Sequence, residues 1–236
     1  MTETLDILAF GAHPDDVEIG MAGTLAKYKE QGYKIGICDL TYAEMSSNGT
    51  VDIRQEEAKK ASEILQLDVR VQLSLPDRGL YKTEEHIGEI VSVIRKYRPK
   101  IVFAPYFEDR HPDHGNCAQL VDEAVFSAGI KRVKVSSGAE SHKVKNLYYY
   151  MINGMLQAQF YIDITSQIEK KQQALLAYNS QFEKSSDSVD TPLTNGYVEG
   201  VISRERAYGK QIGTMYAEGF FAKAPLEVNY DLLGGI

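Results

Sequence analysis

Through its first 150 residues the chain alternates short apolar, β-rich runs with longer helix-like stretches. That alternation is the signature of βαβ units, in which parallel strands are joined by crossover helices. Five strands follow from it, at 5–10 (LDILAF), 34–40 (KIGICDL), 69–75 (VRVQLSL), 100–104 (KIVFA) and 146–150 (NLYYY). Between them the pattern predicts helices at 19–31, closing on Gly32; at 53–65, with Asp52 as a possible cap; at 83–97, headed by Thr83; and at 115–128. Beyond residue 150 the pattern loosens. A strand at 159–164 precedes Ser166 and Glu169, a capping-box spacing that opens a helix toward Tyr178. A Ser-, Asp- and Thr-rich surface loop at 183–196, a helix at 198–216 and a glycine-containing tail follow. No Pro/Gly/Ser linker or internal repeat divides the chain. The expectation is one α/β domain with a mostly parallel sheet, its doubly wound part spanning about 1–150 and a C-terminal elaboration spanning about 151–236.

Composition narrows the function classes. With 43% hydrophobic and 25% charged residues among 236, the chain has the material for a sizeable core, which excludes disorder and fibrous repeats. Lys and Arg number 26 against 33 Asp and Glu, a net charge of −7 that gives no attraction to nucleic acid or to an anionic membrane. Two cysteines make no disulfide framework, and the start MTETLDILAFG lacks a signal-type segment, so a reducing cytoplasm is expected. No stretch approaches the roughly 20 apolar residues of a membrane span.

In open α/β sheets ligands bind beyond the carboxyl ends of the strands. Directly after the first strand stands Gly11-Ala12-His13-Pro14-Asp15-Asp16-Val17-Glu18. A dinucleotide fold wants G-x-G-x-x-G there; this loop fills the space with an imidazole and three carboxylates. Such acids repel one another unless a cation or proton compensates them. After the fourth strand comes Asp109-Arg110-His111-Pro112-Asp113-His114. The two loops open at one sheet edge if their strands are neighbours. Together they offer His13, Asp15, Asp16, His111, Asp113 and His114, twice the three protein ligands of a catalytic zinc site. The surplus is what hydrolysis needs for a general base and an oxyanion stabiliser. Elsewhere the chemistry is bland: Cys38 and Cys117 read as core, His86 and His142 as surface or cap residues, and Asp39 as a ribose-binding acid without its glycine fingerprint. Arg54, Arg78 and Arg110 lie near strand ends, where an anionic substrate group would meet them.

The loop AHPDDVEIGMAGTL, with HPDH at 111–114, resembles the two motifs of the LmbE-like, or PIG-L, zinc-dependent N-acetylglucosamine deacetylases. The likeness continues through LTYAEMSSNGT, the Arg54 region and LPDRGL, and is closest to the bacterial enzymes of bacillithiol synthesis that act on N-acetylglucosaminyl malate. The resemblance implies a Rossmann-like three-layer sandwich and an N-deacetylase that works on a small sugar, in a cytoplasmic homo-oligomer, a hexamer. It implies His13, Asp16 and His114 as ligands of one Zn2+ per subunit, with Fe2+ an alternative of the same donor set. Asp15 would be the general base, His111 the second imidazole, protonated to steady the oxyanion and a candidate to protonate the leaving amine, and Asp113 its orienting partner. Arg54, Arg110 and, more loosely, Tyr197 would contact substrate. Malate would bring two carboxylates into an acidic site, so Arg54, Arg78, Arg110 or Lys143 must meet them. Another N-acetylglucosaminide, chitooligosaccharide or inositol glycoside, is the alternative substrate; a non-catalytic metal-binding protein is the alternative class.

Overall fold

The computed structural model describes residues 4–184, 186 and 188–226. Among the described residues seven strands form one sheet: β1 (Ile7–Gly11), β2 (Ile35–Asp39), β3 (Val69–Gln72), β4 (Ile101–Pro105), β5 (Asn146–Tyr150), β6 (Phe160–Asp163) and β7 (Ala217–Ala222). Their order is β3-β2-β1-β4-β5-β7-β6. The first five are parallel, and β7 runs antiparallel between β5 and β6. The helices are α1 (Asp16–Glu30), α2 (Val51–Leu65), α3 (Glu84–Tyr97), α4 (Pro112–Ala128), α5 (Ile168–Leu176), α6 (Asn179–Phe182) and α7 (Tyr197–Ile212).

The sheet is covered on both faces, which is why its central strands read as continuous apolar runs rather than alternating ones. Leu8 and Phe10 of β1 pack with Ile90 and Ile94 of α3 and Leu120 and Val121 of α4. Ile7 and Ala9, pointing the other way, pack with Val17 and Leu25 of α1, Ala58 and Ala61 of α2 and Leu175 of α5. The chain is thus a three-layer α/β sandwich. Strand order reverses between β1 and β4, so the loops after these two strands open side by side at the topological switch point.

Several element boundaries differ from the sequence expectation. α1 starts at Asp16 and α4 at Pro112, three residues earlier than predicted in each case, so Asp16, Asp113 and His114 sit on first helical turns. Proline at the first helical position costs nothing, because its missing N–H would be unpaired there anyway. Thr50, not Asp52, caps α2 by accepting from the Ile53 N–H. The Ser166 capping box does not form; a 3-10 turn, Thr165–Gln167, leads into α5. α7 stops at Gly213, whose φ of 77° only glycine adopts readily. The tail expected after it contains β7. Residues 227–236, including Gly234 and Gly235, lie outside the described residues. No helix among the described residues is long and apolar enough to cross a membrane.

Candidate metal centre and active site

The first half of the site is the turn from β1 into α1. The Asp16 carboxylate folds back to accept the His13 N–H (2.9 Å), and the Asp16 N–H donates to the His13 carbonyl (3.3 Å). Between them Asp15 takes φ 117°, a conformation that costs a non-glycine residue roughly 1–3 kcal/mol and persists only where neighbours enforce it. Arg54, from the first turns of α2, does so. Its Nη1 donates to Asp15 Oδ2 (2.8 Å) and to the Pro14 carbonyl, and Nη2 reaches Ser46 Oγ (3.0 Å). Asp15 is thereby turned to a guanidinium, whereas Asp16 faces imidazoles.

The second half is the start of α4. His111 occupies the cap, its Nδ1 accepting the Asp113 N–H (3.3 Å), which leaves Nε2 as the hydrogen-bearing nitrogen of the neutral ring. Gly115 lets this turn settle against the preceding loop, since a Cβ there would meet the Phe107 carbonyl at 2.8 Å. The two halves then converge. Ring centroids lie 4.9 Å apart for His13 and His111, 5.6 Å for His13 and His114, and 4.8 Å for His111 and His114. One nitrogen from each ring lies within 4.8 Å of the others. Asp16 spans two of them, Oδ1 3.1 Å from His114 Nε2 and Oδ2 3.4 Å from His13 Nδ1. The far nitrogens also face acids: His13 Nε2 lies 3.2 Å from Asp77 and 3.7 Å from Asp113, and His114 Nδ1 lies 2.9 Å from Asp109. A carboxylate behind His13 and another behind His114 is the arrangement that orients metal-ligating histidines.

The electrostatics fit the same chemistry. Burial disfavours charge on His13, but Asp16, Asp113 and Asp77 outweigh it and hold its pKa well above the usual value. Burial likewise disfavours charge on His114, but Asp16 and Asp109 outweigh it and raise its pKa to about 9. Asp16 is held well below the carboxylate range because His114 and His13 overcome its own burial. Asp15 goes the other way, raised to about 7 by burial despite Arg54, with Asp16 adding to the rise. His111, expected from the resemblance to be protonated, is instead lowered by burial and by the two neighbouring imidazoles. The acids of this cluster draw protons onto His13 and His114. A divalent cation competes for those same lone pairs, and the imidazole and carboxylate donors suit zinc or iron(II).

His13, Asp15, Asp16, His111 and His114 line a cavity of about 290 Å³ that also takes in Ile19, Met45, Asp77, Arg78, Arg110, Ile152, Asn153 and Tyr197, with Asp109 and Asp113 set behind its wall. Arg78 is spent on Asp113, through its backbone N–H (2.7 Å) and Nη1 (3.2 Å), so the Asp113 carboxylate turns to Arg78 and His13 while its N–H serves His111. Tyr197 donates to Asn153 Oδ1 (2.9 Å) and stacks on Phe182. Arg110 is exposed and, among the described residues, makes no hydrogen bond or ion pair. Lys143 precedes β5, at the opposite sheet edge, and does not line this cavity. Asp77, Asp109 and Asn153 were not singled out from the sequence. The signals for Asp77 are its place in the loop after β3 and its position within LPDRGL, part of the family likeness; no histidine stands near it in the chain.

The chain is similar to known proteins in sequence and in fold. Residues 8–125 match the family model for PIG-L, the GlcNAc-PI de-N-acetylases. The chain is 32% identical to the diacetylchitobiose deacetylase of Thermococcus kodakarensis over 228 residues, covering 90% of this chain and 81% of that one. Among solved structures, the conserved protein TT1542 of Thermus thermophilus superposes with a TM-score of 0.88 at 37% identity, over 97% of this chain and 99% of the other. The N,N'-diacetylchitobiose deacetylase of Pyrococcus horikoshii shares the fold, with a TM-score of 0.79 at 24% identity over 92% and 82% of the two chains. The motif-bearing half and the full-length likeness thus converge, and the chain belongs to the PIG-L family of deacetylases.

Proposed function

We propose that the protein removes the acetyl group from an N-acetylglucosaminide, and that its substrate is N-acetylglucosaminyl malate. The observation that carries the reaction is the division of two adjacent carboxylates: Asp16 lies between two imidazoles, while Asp15 is held apart from them by Arg54. His13, Asp16 and His114 would hold the metal. When bound, zinc or iron(II) supplies Lewis-acid polarisation of the acetamide carbonyl and makes water acidic near neutral pH. The chain's own groups do the rest. Asp15 takes the proton of the attacking water as it adds to the carbonyl carbon. His111 Nε2–H donates to the oxygen on which negative charge develops. The proton collected by Asp15 then passes to the sugar nitrogen, the C–N bond breaks, and acetate and the free amine leave. Asp77 and Asp109 keep the two ligand rings oriented.

The malate assignment rests on charge. Arg54 and Arg78 pair with Asp15 and Asp113, which leaves Arg110, among the described residues, as the cavity-lining cation with no acid partner and open to an anionic aglycone. Chitooligosaccharide is the second reading, supported by the diacetylchitobiose deacetylase relative. The test is acetate release from N-acetylglucosaminyl malate, diacetylchitobiose, an inositol glycoside and free N-acetylglucosamine, with metal content measured on the same preparation. The malate glycoside should give the highest kcat/KM. A preference for diacetylchitobiose moves the assignment to the second reading, and no release from fully metal-loaded protein leaves a metal-binding protein without catalysis.

A further inference from the structure

α1 is continuous in the chain but broken in its backbone geometry. Met21 leaves the helical region (φ −154°, ψ 21°), so α1 is two short helices set end to end. In a regular helix the Gly23 N–H and the Ile19 carbonyl are partners, four residues apart. At this break both are served from outside α1. The Gly23 N–H donates to Glu218 Oε1 (3.0 Å) and the Thr24 N–H to Glu218 Oε2 (2.7 Å). The Ile19 carbonyl accepts from Lys171 Nζ (2.9 Å) and from Arg204 Nη2 (3.0 Å). Lys171 Nζ also donates to Glu218 Oε1 (2.6 Å), so the Lys171–Glu218 ion pair bridges the two backbone groups that a regular helix would join. The last Lys171 donor goes to Glu205 Oε1 (2.8 Å), which Arg204 also reaches (2.8 Å). Lys171 and Glu218 have no exposed surface. The signs match the helix ends: cations on the carbonyl end of the first segment, a carboxylate on the amide end of the second.

The first segment, Asp16–Gly20, is the one that carries Asp16 into the site. It is held on its other side by Glu18, which accepts from Arg70 (2.7 Å) and Tyr178 (2.9 Å). It lies flush against β5, since a Cβ on Gly20 would fall 2.0 Å from the Tyr150 ring. Its direction therefore sets where the Asp16 carboxylate arrives. We propose that Lys171 and Glu218, supported by Arg204 and Glu205, are positioning residues that fix the break in α1 and with it the seat of Asp16 between His13 and His114. This rests on the metal reading above and adds that residues of α5, α7 and β7 control it.

The test uses the full-length protein as wild type, as Lys171→Met/Glu218→Met and as Glu218→Gln. The double variant removes one cation and one anion and leaves Arg204 paired with Glu205, a neutral exchange of the kind buried ion pairs tolerate. Cobalt(II) titration followed by its visible absorption, zinc affinity by chelator competition, and thermal melting are measured on each. The wild type should bind cobalt with resolved ligand-field bands. The double variant should melt cooperatively yet lose zinc affinity by about 10–100-fold, the scale for disturbing the support of metal ligands, with shifted cobalt bands. Glu218→Gln, which keeps the shape and one acceptor oxygen, should move the same way by less, and it decides the matter if the double variant does not fold. Wild-type affinity and bands in the folded variants, however far their melting falls, overturn the positioning role. A wild type that binds no cobalt or zinc overturns the metal reading, and this inference with it.

Discussion

Two buried clusters of charge flank the first segment of α1, and they are balanced in different ways. At the break, Lys171 and Arg204 face Glu205 and Glu218, two fixed cations against two carboxylates. Around the cavity, five carboxylates (Asp15, Asp16, Asp77, Asp109 and Asp113) pair, among the described residues, with two guanidinium groups, Arg54 and Arg78. The deficit there is made up by imidazoles that hold protons, which is why His13 and His114 are raised while Asp16 is depressed. A cluster neutralised by its own lysine and arginine gains nothing from an added ion. One neutralised by exchangeable protons has places a metal can take. Similar residues at similar depth therefore divide into a brace and a reaction centre according to whether the compensating charge is fixed or exchangeable.

The sharpest way to probe the exchangeable cluster is Asp15→Asn. Asparagine keeps the size of the side chain but cannot take the proton of water, so kcat should fall by about 10²–10⁴, the range for loss of a general base. Metal content should stay near wild type, because Asp15 faces Arg54 and not the imidazoles. Near wild-type turnover in fully loaded protein assigns the base elsewhere. The fixed cluster is broken by Lys171→Met, which strands Glu218 and Glu205 with a single cation. Removing one partner of a buried pair costs about 3–5 kcal/mol, and urea melts should show a loss of that size. An unchanged midpoint would mean that the brace contributes nothing to folding, and the contrast between the two clusters would collapse.

His111→Ala removes the one imidazole whose pKa the cluster lowers rather than raises. With Nδ1 accepting from the Asp113 N–H, its Nε2–H is the donor withdrawn from the developing oxyanion. The expected loss is about 10²–10³ in kcat, the scale for one oxyanion-hole donor. An effect confined to KM assigns His111 to binding.

The brace and the reaction centre are not equally legible in the sequence. His13, Asp16, His111 and His114 stand in two short runs directly after strands, and parallel topology alone brings such runs together. The strands β1, β2 and β4 are readable because burial on both faces makes them almost wholly apolar, and β3 and β5 because β-branched and aromatic residues dominate them. What stays hidden is whatever depends on a partner far along the chain. Glu218 reads as a solvent-facing charge until Lys171, 47 residues earlier, and Gly23, 195 residues earlier, are seen around it. With Glu218 and Gly219 inside it, AEGFFA shows no strand alternation, so β7 reads as tail. Asp77 stands within the LPDRGL likeness, but its role is hidden for the same reason, because it comes from His13, 64 positions away. The early starts of α1 and α4 are hidden because Pro and Asp read as loop, although both suit a first helical turn.

The smallest expected effect tests the rim of the exchangeable cluster rather than its centre. Arg110 lines the cavity, is exposed, and among the described residues pairs with no acid, unlike Arg54 and Arg78, which are held by Asp15 and Asp113. Its removal should leave the imidazoles, the metal and kcat untouched. A charge-assisted contact to an aglycone carboxylate is worth about 1.5–3 kcal/mol when well formed, and solvent screening at an exposed side chain brings this to the low end. Arg110→Ala should therefore raise KM for N-acetylglucosaminyl malate by about tenfold and leave KM for diacetylchitobiose where it was. The ratio of the two KM changes is the deciding quantity, because a general disturbance of the loop after β4 shifts both alike. Equal shifts would remove the charge argument for a malate substrate and leave the chitooligosaccharide reading with the stronger support.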